Sequence, residues 1–380
     1  MSENQIINSI LELISKSQFS TEIKLIDDYS LIYEEAKEQS ILGLIAQEIP
    51  KDIADSNPDW NKAIYTQITN YIKYNYAEEQ LIKVMKNASV PLVILKGNAA
   101  AINYKEPTRR SMGDIDFLVP QDLFDKTCNV LKNAGYVELS SNDRHIEFKK
   151  DAMIFELHHH YSATIDIEDY LIEGFKDIQI GKIDDHEFPM LPKLANGLVL
   201  LDHMGRHLKS GLGLRQVIDW MMYVYHELDD EFWEKEFSRV AKEKGLDTLA
   251  IVTTRMCQIY LGLPETIKWC KDADEKVCEQ LMENLLASGN FGRKQGKGSS
   301  VETVSTSIKR KGLFRWLQYA GEYNWEAYHK HHWLKPFCWF YQIFRYAKQG
   351  FKSGRSREEL SGDLNRSEQR YELLKKLGIE

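Results

Sequence analysis

From Ile7 to about Asn87 apolar residues recur at the three- and four-residue spacing of amphipathic packing helices, at Ile7, Ile10, Leu11 and Ile14 and again at Ile64, Ile68, Tyr71, Ile72 and Tyr76. Asn87-Ala88-Ser89-Val90-Pro91 ends that region, and the period changes. Pro91 to Leu95 is a continuous apolar run that predicts a buried strand, followed by a Gly97-Asn98 break and an Ala-rich helix start. Ser111 to Pro120 predicts a second strand, and Gln121 to Ala134 a helix closed by Gly135, with Leu123, Phe124, Val130 and Leu131 on its apolar face. His145–Phe148 and Met153–His158 predict a hairpin that turns near Lys150-Asp151, and Glu187–Pro192 is again strand-like. The helical period returns at Lys193. One helix carries Leu200, Leu201, His203, Met204, His207 and Leu208, and the next, Leu212 to His226, carries Leu214, Val217, Ile218, Trp220, Met221 and Tyr225.

Further helices are expected to about Gly289, then a Gly- and Ser-rich mobile loop to Ser307, an aromatic stretch from Leu313 to Phe351, and a charged tail from Lys352. The expected organisation is a helical region at 1–88, a mixed-sheet core at 89–192, a helical domain at 193–350 and a tail at 351–380, an α+β chain without internal repeats.

Composition narrows the class. With 380 residues, 43% apolar and 28% charged, the chain has the make-up of a soluble globular protein with room for two or three sub-domains. A net charge of −8 argues against a protein whose main task is to coat nucleic acid. The five cysteines, Cys128, Cys257, Cys270, Cys278 and Cys338, are scattered and form neither a disulfide framework nor a Cys-x-x-Cys site, which suits a reducing compartment. No signal peptide and no apolar run long enough to cross a membrane is evident, so a cytoplasmic location is expected.

The candidate chemistry lies in Ser111-Met112-Gly113-Asp114-Ile115-Asp116-Phe117-Leu118-Val119. Side chains alternate across a strand, so Asp114 and Asp116 share one face with Cα atoms roughly 6.6 Å apart, and Ile115 and Phe117 share the other. Two carboxylates at that distance repel unless a cation lies between them, and Mg²⁺ on one or two carboxylates plus phosphate oxygens is the usual phosphoryl-transfer arrangement. Asp-x-Asp alone is as readily the wet face of an edge strand. The preceding strand, glycine break and helix start change the weighting, since the first turn of a helix offers free N–H groups to a phosphate. Glu156 alternates with Phe155 and Leu157 on the second hairpin strand and would be a third acid if that strand lies beside Asp114 and Asp116.

Leu95-Lys96-Gly97-Asn98, the Arg110 to Val119 stretch and Phe155-Glu156-Leu157-His158 together resemble the bacterial uncharacterised nucleotidyltransferase family of the polymerase-β-like superfamily, as do Leu201-Asp202-His203-Met204-Gly205-Arg206-His207 and Leu214-Arg215-Gln216-Val217-Ile218-Asp219 more loosely. The resemblance implies a small mixed-sheet nucleotidyltransferase core flanked by helical regions. It further implies a nucleoside triphosphate held at Gly97 and Asn98, Mg²⁺ or Mn²⁺ on Asp114 and Asp116, and Glu156 completing the metal site or activating an acceptor hydroxyl. Asn98 stands where the superfamily usually has Gly or Ser, and its amide is expected to donate to a phosphate. Glu156 stands where Asp is commoner, with Glu147 as the fallback.

Other residues have two readings each. Lys96 would neutralise phosphate or end a strand in solvent, and Arg110 would clamp a phosphate or pair with one of the acids. His158, His159 and His160 invite zinc, but consecutive strand positions point His159 away, so His158 is assigned a supporting role beside the acids. His203 and His207 have the spacing of a metalloprotease helix without its glutamate, and with Arg206 they are expected to line the helical wall facing the nucleotide or to be satisfied core polar groups. Arg215 and Asp219 are expected to pair along one helix. The aromatic stretch Trp333–Tyr346 has three readings, with core packing ahead of a partner site or a membrane-surface helix. The expected function is Mg²⁺-dependent transfer of a nucleoside monophosphate from an NTP to an acceptor. The alternative is a nucleotide-binding or interaction protein on the same fold, partnering a toxin–antitoxin or biosynthetic system.

Overall fold

A computed structural model describes residues 3–290 except 24, 25, 27, 143, 162–165 and 210, together with 305, 307–309, 312–353 and 357–379. Most of the expected mobile loop between Gly289 and Ser307 lies outside the described residues. Seven strands, β1 (Val93–Leu95), β2 (Ile115–Leu118), β3 (Val137–Ser141), β4 (His145–Lys150), β5 (Met153–His158), β6 (Gln179–Ile183) and β7 (His186–Met190), form one mixed sheet in the order β3-β4-β5-β2-β1-β7-β6. β2 runs antiparallel to β1 and parallel to β5, and β7 runs parallel to β1.

Every residue of β1 and β2 is buried, because the sheet is covered on both faces. Val93, Leu95 and Leu118 point into one core cluster with Leu198, Leu201 and Trp220, while Ile94, Ile115 and Phe117 point into another with Tyr71, Tyr74, Phe155 and Phe188. Asp116 pairs with Leu95 and alternates with Ile115 and Phe117, which puts it on the first of these faces. The edge strands β3 and β6 have no prediction in the sequence. β3 is exposed along its whole length and so carries no apolar alternation to read.

Seven helices matter for the site and its surroundings: α1 (Pro58–Asn87), α2 (Gly97–Ala101), α3 (Lys193–Leu208), α4 (Leu214–Glu227), α5 (Leu313–Asn324), α6 (Cys338–Ser353) and α7 (Arg357–Lys376). α1 is capped by the Asn57 side chain, which accepts from the Asp59 N–H, with Pro58 in its first turn. Its buried face runs through Trp60, Ala63, Gln67, Tyr71, Tyr74, Glu78, Leu81 and Met85. The expected apolar stripe is thus only partly right, since Ile68, Ile72 and Tyr76 are exposed while Gln67 and Glu78 are buried. The physical reason is polar. Gln67 Nε2 donates to the carbonyls of Thr108 (2.8 Å) and Arg110 (2.7 Å), and Glu78 Oε1 accepts from Asn98 (2.9 Å) and His186 (2.8 Å), so α1 braces the segment before β2, the first turn of α2 and the start of β7.

Two expectations for the C-terminal part are corrected. The charged tail ends in a helix that buries Leu373, Leu374, Leu377 and Ile379 in the main cluster, packed on the helix Glu275–Ser288. The aromatic stretch is not core: Trp316, Leu317 and Ala320 form a small cluster with Trp339 and Tyr346, and most of the remaining rings face outward.

Candidate active site

β2 and β5 lie in parallel register with Asp116 directly beside Glu156, and Asp114 precedes Asp116 on the same face. One carboxylate oxygen from each of Asp114, Asp116 and Glu156 lies within 4.8 Å of the others. A small divalent cation bonds oxygen at about 2.1 Å, so ligands around one ion are about 3–4.2 Å apart, and an all-oxygen set suits a hard cation of the Mg²⁺ type. The donor set therefore fits such an ion with small side-chain adjustments. Asp114 is exposed, Asp116 is buried and Glu156 is in between, so the cluster opens on one side only.

Lys96, at the end of β1, reaches Asp116 with Nζ–Oδ1 at 2.7 Å, and His158 Nε2 lies 2.9 Å from the same oxygen. Burial alone would raise the Asp116 carboxyl, but Lys96 and His158 outweigh it and hold that group well below the usual carboxylate range. Burial disfavours the Lys96 ammonium in the same way, and Asp116, Tyr161 and Asp114 together more than offset it. Glu156 is held less firmly, with His158 Nε2 3.5 Å from its Oε2. Burial, with Asp116 and Asp114 adding to it, raises its pKa, which is the direction a proton acceptor near neutral pH requires.

Lys96 adopts φ 55° and ψ −127°, a backbone shape that L-residues avoid at a cost on the order of 1–3 kcal/mol, and the following Gly97 has φ 37°. This paired turn directs the lysine into the acid cluster and starts α2. A Cβ on Gly97 would overlap the Tyr74 hydroxyl. Gly97→Ala is therefore expected to destabilise the fold by about 2 kcal/mol or more, from left-handed backbone and overlap together, read as a lower midpoint in urea unfolding. Asn98 is not where it was expected. Its side-chain amide donates to Asn75 (2.9 Å) and Glu78 (2.9 Å) on α1, which turns it away from the acids and leaves only its backbone N–H for a phosphate.

The histidines are arranged by hairpin register. β4 and β5 pair His145 with His158 and Glu147 with Glu156, so the partner of His158 near Glu156 is His145 and not His160. Asn142 Oδ1 accepts from the backbone N–H groups of Arg144 (2.8 Å) and His145 (3.0 Å), which fixes its amide so that Nδ2 donates to His145 Nε2 at 3.2 Å. His145 Nδ1 must then carry the proton, 3.7 Å from Glu156 Oε2. In this arrangement it faces Glu156 as a donor, so His145, Glu156 and His158, whose ligand atoms lie within 4.8 Å of one another, would take a metal only with His145 released from Asn142. His159 stacks on Phe124 with centroids 3.7 Å apart. The fallback acid Glu147 is the cross-strand partner of Glu156, lines the same cavity and lies 3.7 Å from His145 Nε2.

Opposite the acids, α3 and the start of α4 bring His203, Arg206, His207, Lys209 and Arg215 to the wall of a cavity of about 1690 Å³ that also contains Lys96, Gly97 and the three acids. His203 and His207 are driven toward the neutral form by burial and by the cations around them, His207 to about 3. Arg206 lies over the Tyr161 ring at 4.6 Å and pairs with Asp202 at 3.1 Å, whose carboxyl burial pushes up to about 6. A basic wall thus faces an acidic floor across a space larger than one nucleotide.

Arg110 and Asp219 correct two expectations. Arg110 Nε and Nη2 donate to Asp219 Oδ1 (2.7 Å) and Oδ2 (2.8 Å), and the Tyr104 hydroxyl donates to the same carboxylate at 2.7 Å. The fork of Arg110 is spent on α4 and not on a phosphate or a metal acid. Arg215, the expected partner of Asp219, donates to the Ser111 carbonyl at 3.2 Å. These bonds tie the segment leading into Asp114 to α4.

Sequence reading missed His145, Asn142, Arg144 and Tyr161. The hairpin turn between Lys150 and Met153 carried the signal for His145, since it fixes which residues face each other; the others depend on packing between distant segments. A family model described as an uncharacterised nucleotidyltransferase matches residues 27–262, which includes all seven strands, α3 and α4, and no curated protein matches the chain.

Proposed function

Because the chain belongs to the uncharacterised nucleotidyltransferase family, we propose that it moves a nucleoside monophosphate from an NTP onto an acceptor hydroxyl or phosphate. The observation that carries this reading is the convergence of Asp114, Asp116 and Glu156 within 4.8 Å beside Lys96 and the Gly97 turn. Asp114, Asp116 and Glu156 would hold Mg²⁺, or Mn²⁺ in its place, which supplies neutralisation of charge on the α- and β-phosphates. The backbone at Gly97 and Asn98, Arg206 of α3 and the neutral His203 beside it hold the triphosphate and exclude water.

The acceptor oxygen bonds to the α-phosphorus as the bond from that phosphorus to the β-bridging oxygen breaks. Pyrophosphate leaves, and the acceptor proton passes to Glu156. His158 and His145 hold the acids in place rather than touching the reacting atoms. Incubation with ATP labelled at the α-phosphorus should yield a labelled acceptor plus unlabelled pyrophosphate, and label at the γ-phosphorus should appear only in pyrophosphate. Transfer of the γ-label to the acceptor would make the protein a kinase and overturn the reading.

The Lys96–Asp116 ion pair favours one second reading, a nucleotide-binding protein with little chemistry, because an ammonium already neutralises the central acid. Lys96→Met separates the two. If the ammonium competes with a cation, the variant should bind Mn²⁺ in the absence of nucleotide about tenfold more tightly, roughly 1.4 kcal/mol, by electron paramagnetic resonance of the free ion. Unchanged Mn²⁺ affinity would mean that the ammonium and the cation do not share Asp116.

A further inference from the structure

α5 and α6 pack against each other as a hairpin so closely that a Cβ on Gly321 of α5 would overlap the Cys338 carbonyl at the start of α6. Among the described side chains of α6, Cys338 and Gln342 are buried, and Phe340 and Phe344 lie on the opposite side. Trp333 and Phe337, on the 3₁₀ segment that leads into α6, are also exposed, so that four large aromatics close together in the chain face outward, 71%, 54%, 62% and 69% exposed at Trp333, Phe337, Phe340 and Phe344. The helix is thus apolar on both sides, although the hairpin needs only one. An outward row of four large aromatics is more than a solvated face carries without a partner.

Charge identifies the partner. No Asp or Glu occurs between Glu326 and Glu358, while Lys330, Lys335, Arg345 and Lys348 fall in or beside the stripe, on a chain whose net charge is −8. Lys330, Lys335 and Lys348 are exposed. Aromatic rings flanked by lysine and arginine are the make-up of helices that lie in the headgroup layer of an anionic bilayer, and the acidic remainder of the chain would be repelled by that surface, which orients the hairpin toward it. No helix among the described residues is long and apolar enough to cross a membrane, so the contact is peripheral. The hairpin also lends Tyr319 and Tyr323 to the cavity wall.

We propose that the Trp333–Phe344 stripe docks the protein on the surface of a membrane rich in anionic phospholipid. This does not depend on nucleotidyl transfer. The test is co-sedimentation of the full chain with vesicles of roughly seven parts phosphatidylcholine to three of phosphatidylglycerol, against phosphatidylcholine alone, in about 0.1 M salt. Binding should be at least about tenfold tighter to the anionic vesicles and fall as salt is raised. Phe340→Ser with Phe344→Ser should weaken it at least about tenfold with an unchanged circular dichroism spectrum, and Lys335→Glu with Lys348→Glu should remove the preference for anionic lipid. Failure to bind either vesicle, equal binding by the Phe340/Phe344 variant, or a lipid-free dimer that this variant dissolves would overturn the proposal, the last by showing that the stripe covers a second copy of the chain.

Discussion

Asp116→Asn is expected to lower transfer of the α-phosphorus by at least about a thousandfold, some 4 kcal/mol of transition-state stabilisation, while the protein stays folded. Asp116 is the central member of the acid cluster, beside Glu156 in register and two residues from Asp114. Its carboxylate is kept ionised by Lys96 at 2.7 Å and His158 at 2.9 Å. Asparagine keeps the shape and an oxygen acceptor for both neighbours but gives up the charge, so turnover and Mn²⁺ binding should fall together, with a smaller loss of stability because Lys96 keeps an acceptor but loses its counter-ion. Glu156→Gln provides the comparison. Loss of a proton acceptor alone is worth about 10²- to 10⁴-fold, with Asp114 and Asp116 still present to bind metal. Turnover of the Asp116 variant within tenfold of the parent would remove the metal role assigned to this cluster.

Asp219→Ala is expected to destabilise the protein by about 3–5 kcal/mol, measured by urea unfolding. Arg110 is 5% exposed and gives both arms of its guanidinium to Asp219, so the variant leaves a buried cation without its counter-ion and the Tyr104 hydroxyl without its acceptor. Removing both charges, as Arg110→Met with Asp219→Leu, should recover more than half of that loss, because the penalty of a broken buried pair lies mostly in the stranded partner. The same double variant should still transfer nucleotide poorly. Arg110 positions the segment that delivers Asp114, and its backbone carbonyl is held by Gln67, so apolar replacement restores stability without restoring the bonds that orient the loop. A single variant as stable as the parent would show that the pair contributes nothing to holding α4 against the sheet.

Local geometry explains which features can be read directly from the chain. The sharing of one face by Asp114 and Asp116 follows from a strand period of two, and the approach of Glu156 from a hairpin whose tight turn sets its register, so a few neighbouring residues suffice for each. His145 was equally within reach of that register. The stripe on α1 was misread because the rule equates buried with apolar, whereas Gln67 and Glu78 are buried to bond the segment before β2 and the first turn of α2. The exposed β3 carries no alternation, and the aromatic content of the C-terminal hairpin is the same whether its rings are inside or out.

By itself the sequence determined the α+β class, the central strands, the three acids and the glycine turn, since these depend on periodicities and turn chemistry within one or two elements. Only the tertiary structure decided that Lys96 rests on Asp116, that Asn98 faces α1, and that Arg110 is paired with Asp219, a residue 109 positions away. Each of those choices compares the burial of a charge or amide against partners brought from distant parts of the chain, and no local pattern encodes which partner prevails.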